Sequence, residues 1–256
     1  MKESPMTQLG RTRTRVTTHH AFIAPDGHVE TLLPGWKGAK GIVLTSPQMG
    51  ARHSHYLAFM DEGGTAGSPL PRVERFVWVL AGELSAEFEG ETHTLAEREF
   101  IYLPADKPHT LTATSAAKLN LYERRYVSLE GYDPPPVIVG SDSETEGEVF
   151  LGDEAVVAKK FLPDDPRFDM AVNTMTFQPG GTLPFAETHF MEHGALMLAG
   201  GGVYRLGDDW YPIQEGDALW MGPYCPQWFG ALGKEPASYL LYKESNRDVF
   251  AFEKES

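Results

Sequence analysis

The chain of 256 residues has one cysteine, Cys225, so an intrachain disulfide is excluded and a reducing compartment fits. Cys225 reads as a small buried residue before it reads as a catalytic thiol. Positive charge is also scarce. There are 22 Lys and Arg against 36 Asp and Glu, a formal net charge of −14. Such a field repels phosphate backbones and anionic bilayers, so neither nucleic acid nor a membrane is expected as a partner. No apolar run approaches about 18 residues, which excludes a spanning helix. No apolar stretch of the kind that opens a secretory signal follows Met1, and a water-soluble cytoplasmic protein is expected. Long stretches with a 3.6-residue apolar period are missing too, which argues against a helical fold.

What is present is a series of short strand-like runs. Residues 41–45, 55–60, 76–80, 84–88, 100–103 and 119–122 are apolar or alternating, and glycine and proline punctuate them. With 41% hydrophobic residues the chain can bury a sizeable core. Residues 1–20, with Arg11, Arg13 and Arg15, read as a loose arm or an oligomer contact. Residues 133–147 turn proline-rich and then acidic, which reads as a linker. An internal repeat organises the rest. Trp78-Val-Leu-Ala-Gly82 falls on Met197-Leu-Ala-Gly200 at an offset of 118 residues. The same offset sets Leu95 on Ile213, Glu99 on Asp217 and Pro108 on Pro226. Two tandem all-β domains follow, residues 1–140 and 148–256.

The most informative stretch is Glu187-Thr-His-Phe-Met-Glu-His-Gly194. Glu187, His189 and His193 stand at even offsets, so on extended chain they share one face. A carboxylate and two imidazoles on one face suit a first-row metal ion. A helix would also bring His189 and His193 together, but would turn Glu187 away. The glycines at 180–181 and 200–202 favour strands and turns.

With these motifs the C-terminal half resembles a cupin, a double-sheet jelly-roll barrel. The usual His-x-His order is permuted, with glutamate first and histidine third, and Gln227 stands where the last histidine would be. That permutation resembles the (S)-ureidoglycine aminohydrolase family of bicupins. So do Gly202-Val-Tyr204, Trp210-x-Pro212, Met221-Gly222 and Asn246-Arg247-Asp248. The resemblance implies one Mn²⁺ per chain, held by Glu187, His189, His193 and Gln227. It implies substrate contacts from Tyr204, Tyr239 and Lys243, with Lys243 and Glu187 serving catalysis. The implied reaction is hydrolytic deamination of a small ureido acid in allantoin catabolism, by a homo-oligomer. At the repeat offset the ligand positions of the N-terminal half hold Pro69, Pro71, Arg75 and His109. Tyr204 maps to Ala86 and, after a two-residue drift late in the repeat, Lys243 maps to Glu123, so this half is expected to be structural. Two other readings stay open: a non-haem Fe(II) dioxygenase, and a non-catalytic bicupin that binds a small acid or a metal.

Overall fold

The structure, a computed structural model, describes residues 12–247. It is built almost wholly of strands, as the alternating runs predict. A nine-stranded sheet forms the N-terminal barrel. Its order is Ile138–Ser141, Glu99–Leu103, Val73–Ala81, Ala117–Arg125, His53–Gly67, His109–Ala113, Leu84–Phe88 and Glu91–Leu95, with Trp36–Thr45 also paired to His53–Gly67. The C-terminal barrel closes an eight-stranded sheet over a three-stranded one. The three strands are Asp209–Gln214, Gly201–Leu206 and Gln227–Ala231. Among the described residues no helix is long and apolar enough to cross a membrane.

The repeat is visible in the pairing. Arg75 lies opposite Leu103 and Glu123, and His193 lies opposite Met221 and Lys243. Gly82 and Gly200 are equivalent too. Both have positive φ, 81° and 68°. A Cβ there would meet the carbonyl oxygen of Ala116 at 2.2 Å and of Pro236 at 2.5 Å, so only glycine lets the strand turn.

Strand parity explains the packing. Val77 and Val79 point into the N-terminal barrel, while Phe76 and Trp78 point out toward the other half. There they join Phe100, Tyr122, Phe161 and Tyr242 in an aromatic layer between the barrels. The strand Val73–Ala81 is therefore buried on both faces, which accounts for its nearly unbroken apolar sequence.

Two expectations need correction. Arg15–Val16 and His20–Ile23 are not a loose arm; they add to the edge of the C-terminal sheet, with His20–Ile23 paired to Ala218–Met221. All four residues of His20–Ile23 are buried, and the Arg13 guanidinium grips Asp217 at 2.7 and 2.9 Å. Residues 1–11 and Asp248 lie outside the described residues. The expected linker is also partly structured, since Ile138–Ser141 pairs with Glu99–Leu103.

Candidate metal centre and active site

The three motif residues reach the site from an irregular segment and a strand. Glu187 forms an isolated bridge with Gln227: its N–H donates to the Gln227 carbonyl at 2.8 Å, and its carbonyl accepts from the Gln227 N–H at 2.9 Å. The His189 carbonyl accepts from the Tyr224 N–H at 2.7 Å. His193 opens the strand His193–Ala199. No helix forms here; Glu187 sits in an isolated bridge, residues 188–192 are irregular, and only His193 lies on a strand. Lys243 is the cross-strand neighbour of His193, and Tyr239, four residues earlier on the same strand, shares its face. Glu187, His189, His193, Tyr239 and Lys243 line one cavity of about 430 Å³. Gln227 and Tyr204 do not line it. They lie beneath its floor, 2% and 1% exposed, with the Tyr204 hydroxyl 3.5 Å from Gln227 Oε1.

The donor atoms test whether a metal fits. The Gln227 amide lies 3.0–3.1 Å from His193 Nδ1 and 3.3 Å from His189 Nε2. Neighbouring ligands of an octahedral ion with bonds of roughly 2.2 Å stand roughly 3.1 Å apart. Gln227 Oε1 and His193 Nδ1, at 3.1 Å, have that spacing, while His189 Nε2 meets the amide nitrogen. Donor atoms of Glu187, His189 and His193 do not all lie within 4.8 Å of one another, so side-chain rotation would be needed to close this set around one ion. The donor set of carboxylate, amide oxygen and two imidazoles, with no thiolate, suits Mn²⁺ or Fe²⁺.

Burial governs the electrostatics. It pulls the His193 imidazolium well below its usual pKa, aided by His189 and Lys243, and it lowers His189 with help from Lys243. Both rings are thus neutral and can offer lone pairs. Burial raises Glu187, with Lys243 opposing, and lowers Lys243, with Glu187 opposing. Tyr204 and Tyr239 are pushed upward by burial, so both phenols stay protonated donors.

The N-terminal barrel holds a different solution at the equivalent place. Arg75 is 2% exposed, and its guanidinium donates to Glu123 Oε1 at 2.6 Å, the Gly67 carbonyl at 2.9 Å and His109 Nε2 at 3.0 Å. A fixed cation fills that space. Several polar groups at the C-terminal cavity gave no signal in the sequence, among them Asn173, Lys160 and Asp164. Asn173 is a lone amide on a strand, and the other two sit where charged residues are ordinary. Glu192, inside the motif, faces away from the cavity. Its carboxylate meets His53 Nδ1 at 2.6 Å, the Arg52 N–H at 2.8–2.9 Å and Trp220 Nε1 at 3.1 Å.

Two jelly-roll barrels in tandem, one with a mixed carboxylate, imidazole and amide site, define a cupin protein. The family profile of the cupin domain matches residues 56–123 and 173–242. The (S)-ureidoglycine aminohydrolase of Arabidopsis thaliana is 40% identical over 245 residues, covering 93% of this chain and 80% of that protein. The (S)-ureidoglycine aminohydrolase of Escherichia coli strain K12 is 36% identical, covering 90% and 89%. Protein Ylba from E. coli, known as a crystal structure, superposes with a TM-score of 0.83 at 34% identity, over 95% of this chain and 98% of that one. The chain belongs to the (S)-ureidoglycine aminohydrolase family. Oxalate decarboxylase from Bacillus subtilis superposes with a TM-score of 0.67 at 12% identity, which speaks to the fold alone.

Proposed function

We propose that this chain hydrolyses (S)-2-ureidoglycine to (S)-ureidoglycolate and ammonia, in the allantoin branch of purine catabolism, at a Mn²⁺ site in its C-terminal barrel. The observation that carries the reading is the convergence of Glu187, His189, His193, Tyr239 and Lys243 on one cavity, with Gln227 and Tyr204 beneath it. The relatives named for this reaction support the substrate.

In the reaction a water oxygen bonds to the carbon bearing the amine, the C–N bond breaks, and the nitrogen leaves as ammonia. Glu187, His189, His193 and Gln227 would hold the ion. When bound, Mn²⁺ supplies a Lewis acid that anchors the substrate and offsets charge at the reacting carbon. Lys243 binds the substrate carboxylate. Its ammonium is half-buried and, among the described residues, makes no hydrogen bond or close ion pair. Tyr239 donates its phenol to the ureido group, and Tyr204 steadies the Gln227 amide. Glu187 carries a carboxylate whose proton affinity is raised by burial, and it is the group placed to move a proton. The single buried cysteine fits a cytoplasmic setting, and we expect a homo-oligomer, which light scattering checks.

The test is ammonia release from freshly generated (S)-ureidoglycine, with and without Mn²⁺, against an enzyme-free blank because the substrate decays spontaneously. Enzyme-dependent ammonia with the (S) product is expected. Release equal to the blank at full manganese occupancy refutes the assignment.

A further inference from the structure

We propose that His19, His20 and Cys225 form a second metal site, for zinc, where the N-terminal strand meets the C-terminal barrel. One donor atom from each of the three lies within 4.8 Å of the others, a grouping unique among the described residues. The three come from opposite ends of the sequence, so no local spacing reveals them.

His20 supplies the strongest observation. It is 1% exposed, and its Nδ1 is buried with no hydrogen-bond partner. Its other nitrogen, Nε2, lies 2.9 Å from the Tyr211 hydroxyl and 3.6 Å from Asp209 Oδ2. That hydroxyl in turn reaches Asp209 Oδ2 at 3.4 Å. An imidazole held on one nitrogen by a hydroxyl and a carboxylate, with the other nitrogen bare, is the arrangement that orients metal-binding histidines. His55 also has a bare buried nitrogen, so what singles out His20 is that its bare nitrogen belongs to the cluster with His19 and Cys225.

His19 repeats the pattern more loosely. Its Nδ1 lies 3.4 Å from Thr18 Oγ1, which leaves Nε2. The two free nitrogens face a common point. A Cβ built on Gly207 would stand 3.1 Å from His19 Nε2 and 3.8 Å from His20 Nδ1. The Gly207 N–H donates to the Pro226 carbonyl at 2.7 Å, which draws the loop carrying Cys225 to that point. The backbone fixes the approach from the other side. His20 pairs with Met221, and the Gly222 N–H donates to the His19 carbonyl at 2.9 Å. Cys225 is 4% exposed, and its Sγ lies 3.6 Å from the Pro226 carbonyl and is also met by the Gly207 backbone.

Two imidazoles and a thiolate select zinc over manganese, the reverse of the catalytic donor set. Zinc bonds of about 2.3 Å to sulfur and about 2.0–2.1 Å to nitrogen set tetrahedral ligands roughly 3.3–3.8 Å apart. Small side-chain rotations bring the cluster to that spacing. His19 is exposed, so the fourth position opens to water. Zinc here would tie the start of the strand His20–Ile23 to the loop two residues before Gln227, a structural clamp beside the catalytic centre.

The test is cobalt substitution, since cobalt bound to a thiolate shows a charge-transfer band in the near ultraviolet. Cys225 is the sole cysteine and the catalytic donors include no sulfur, so the band reports this site alone. The metal-stripped chain titrated with Co²⁺ should develop the band, saturating at one thiolate-bound cobalt per chain, and zinc should displace it. The His189→Ala/His193→Ala variant should keep the band, which separates this site from the catalytic one. Cys225→Ser and Cys225→Ala should lose it, and Tyr211→Phe should bind zinc about tenfold more weakly while retaining it. Cobalt binding without the band, or zinc stoichiometry in the His189→Ala/His193→Ala background unchanged by Cys225→Ser, overturns the proposal.

Discussion

Lys243 offers the most direct test of the proposed site. Its strand, Ala237–Glu244, sets it across from His193 at the cavity wall. Burial draws its pKa down and Glu187 draws it up, yet no carboxylate is close enough for an ion pair within 4 Å among the described residues. The free protein thus keeps a half-buried positive charge without a close partner, an arrangement that favours an anionic ligand. Lys243→Met removes the charge and keeps most of the length. Losing the charged partner of a desolvated carboxylate costs about 2–5 kcal/mol. That corresponds to a fall in kcat/KM of about 30-fold to a few thousandfold. Stability should move the other way. The substitution orphans no partner and buries a thioether in place of an ammonium, so Tm should hold or rise. Ammonia release, manganese content and a thermal scan on the same preparation check all three. A kcat/KM within about threefold of wild type refutes the role, and so does lost activity that tracks a fall in Tm.

Three further outcomes follow from the same geometry. Elemental analysis should find one manganese per chain, lost in His189→Ala/His193→Ala and kept in His109→Ala; a second manganese would mean a donor set in the N-terminal barrel that its residues do not display. Arg75→Met strips Glu123 and His109 of their shared partner and should destabilise the protein by about 3 kcal/mol in denaturant titration, with manganese content unchanged. Gly194→Ala would set a Cβ 2.5 Å from His53 Nε2 and should cost about 1–3 kcal/mol, seen as a lower Tm; an unchanged Tm would contradict the packing of His53 against that strand.

The fold was legible because two signals agreed. Period-two runs marked the strands, and the glycines of the repeat aligned the halves. The motif Glu187, His189 and His193 was legible from spacing alone. Gln227 was not, because what brings it in is a backbone bridge to Glu187 across the barrel. The first described strand was misread for the same reason. Arg13 and Arg15 look like a solvated arm until Asp217, 204 residues from Arg13, is seen to receive the guanidinium. Ile138–Ser141 is only four residues long and follows three prolines, so local chemistry pointed to a linker. His53 and Glu192 carried no signal at all, since a buried pair between distant strands leaves no pattern in either.

The two barrels differ in where the cation stands, and that difference explains the polarity of the cavity. In the N-terminal barrel the cross-strand pair is Arg75 and Glu123, a cation beside an anion, 2% and 18% exposed, and the site is neutral within itself. In the C-terminal barrel the equivalent pair is His193 and Lys243, a neutral ring beside a cation. Nothing in that pair balances Lys243, and a divalent ion on Glu187, His189, His193 and Gln227 would add positive charge that the one carboxylate only partly offsets. Such a cavity favours a small anion able to meet the ammonium and the metal together, as an α-amino acid carboxylate can. The neutral twin still has work to do. Strand parity turns Glu192 away from His193 and into a pocket made by His53, the Arg52 amide and Trp220. The N-terminal barrel therefore holds the start of the His193 strand from behind, and a lone C-terminal barrel would leave the Glu192 carboxylate without its His53 and Arg52 partners.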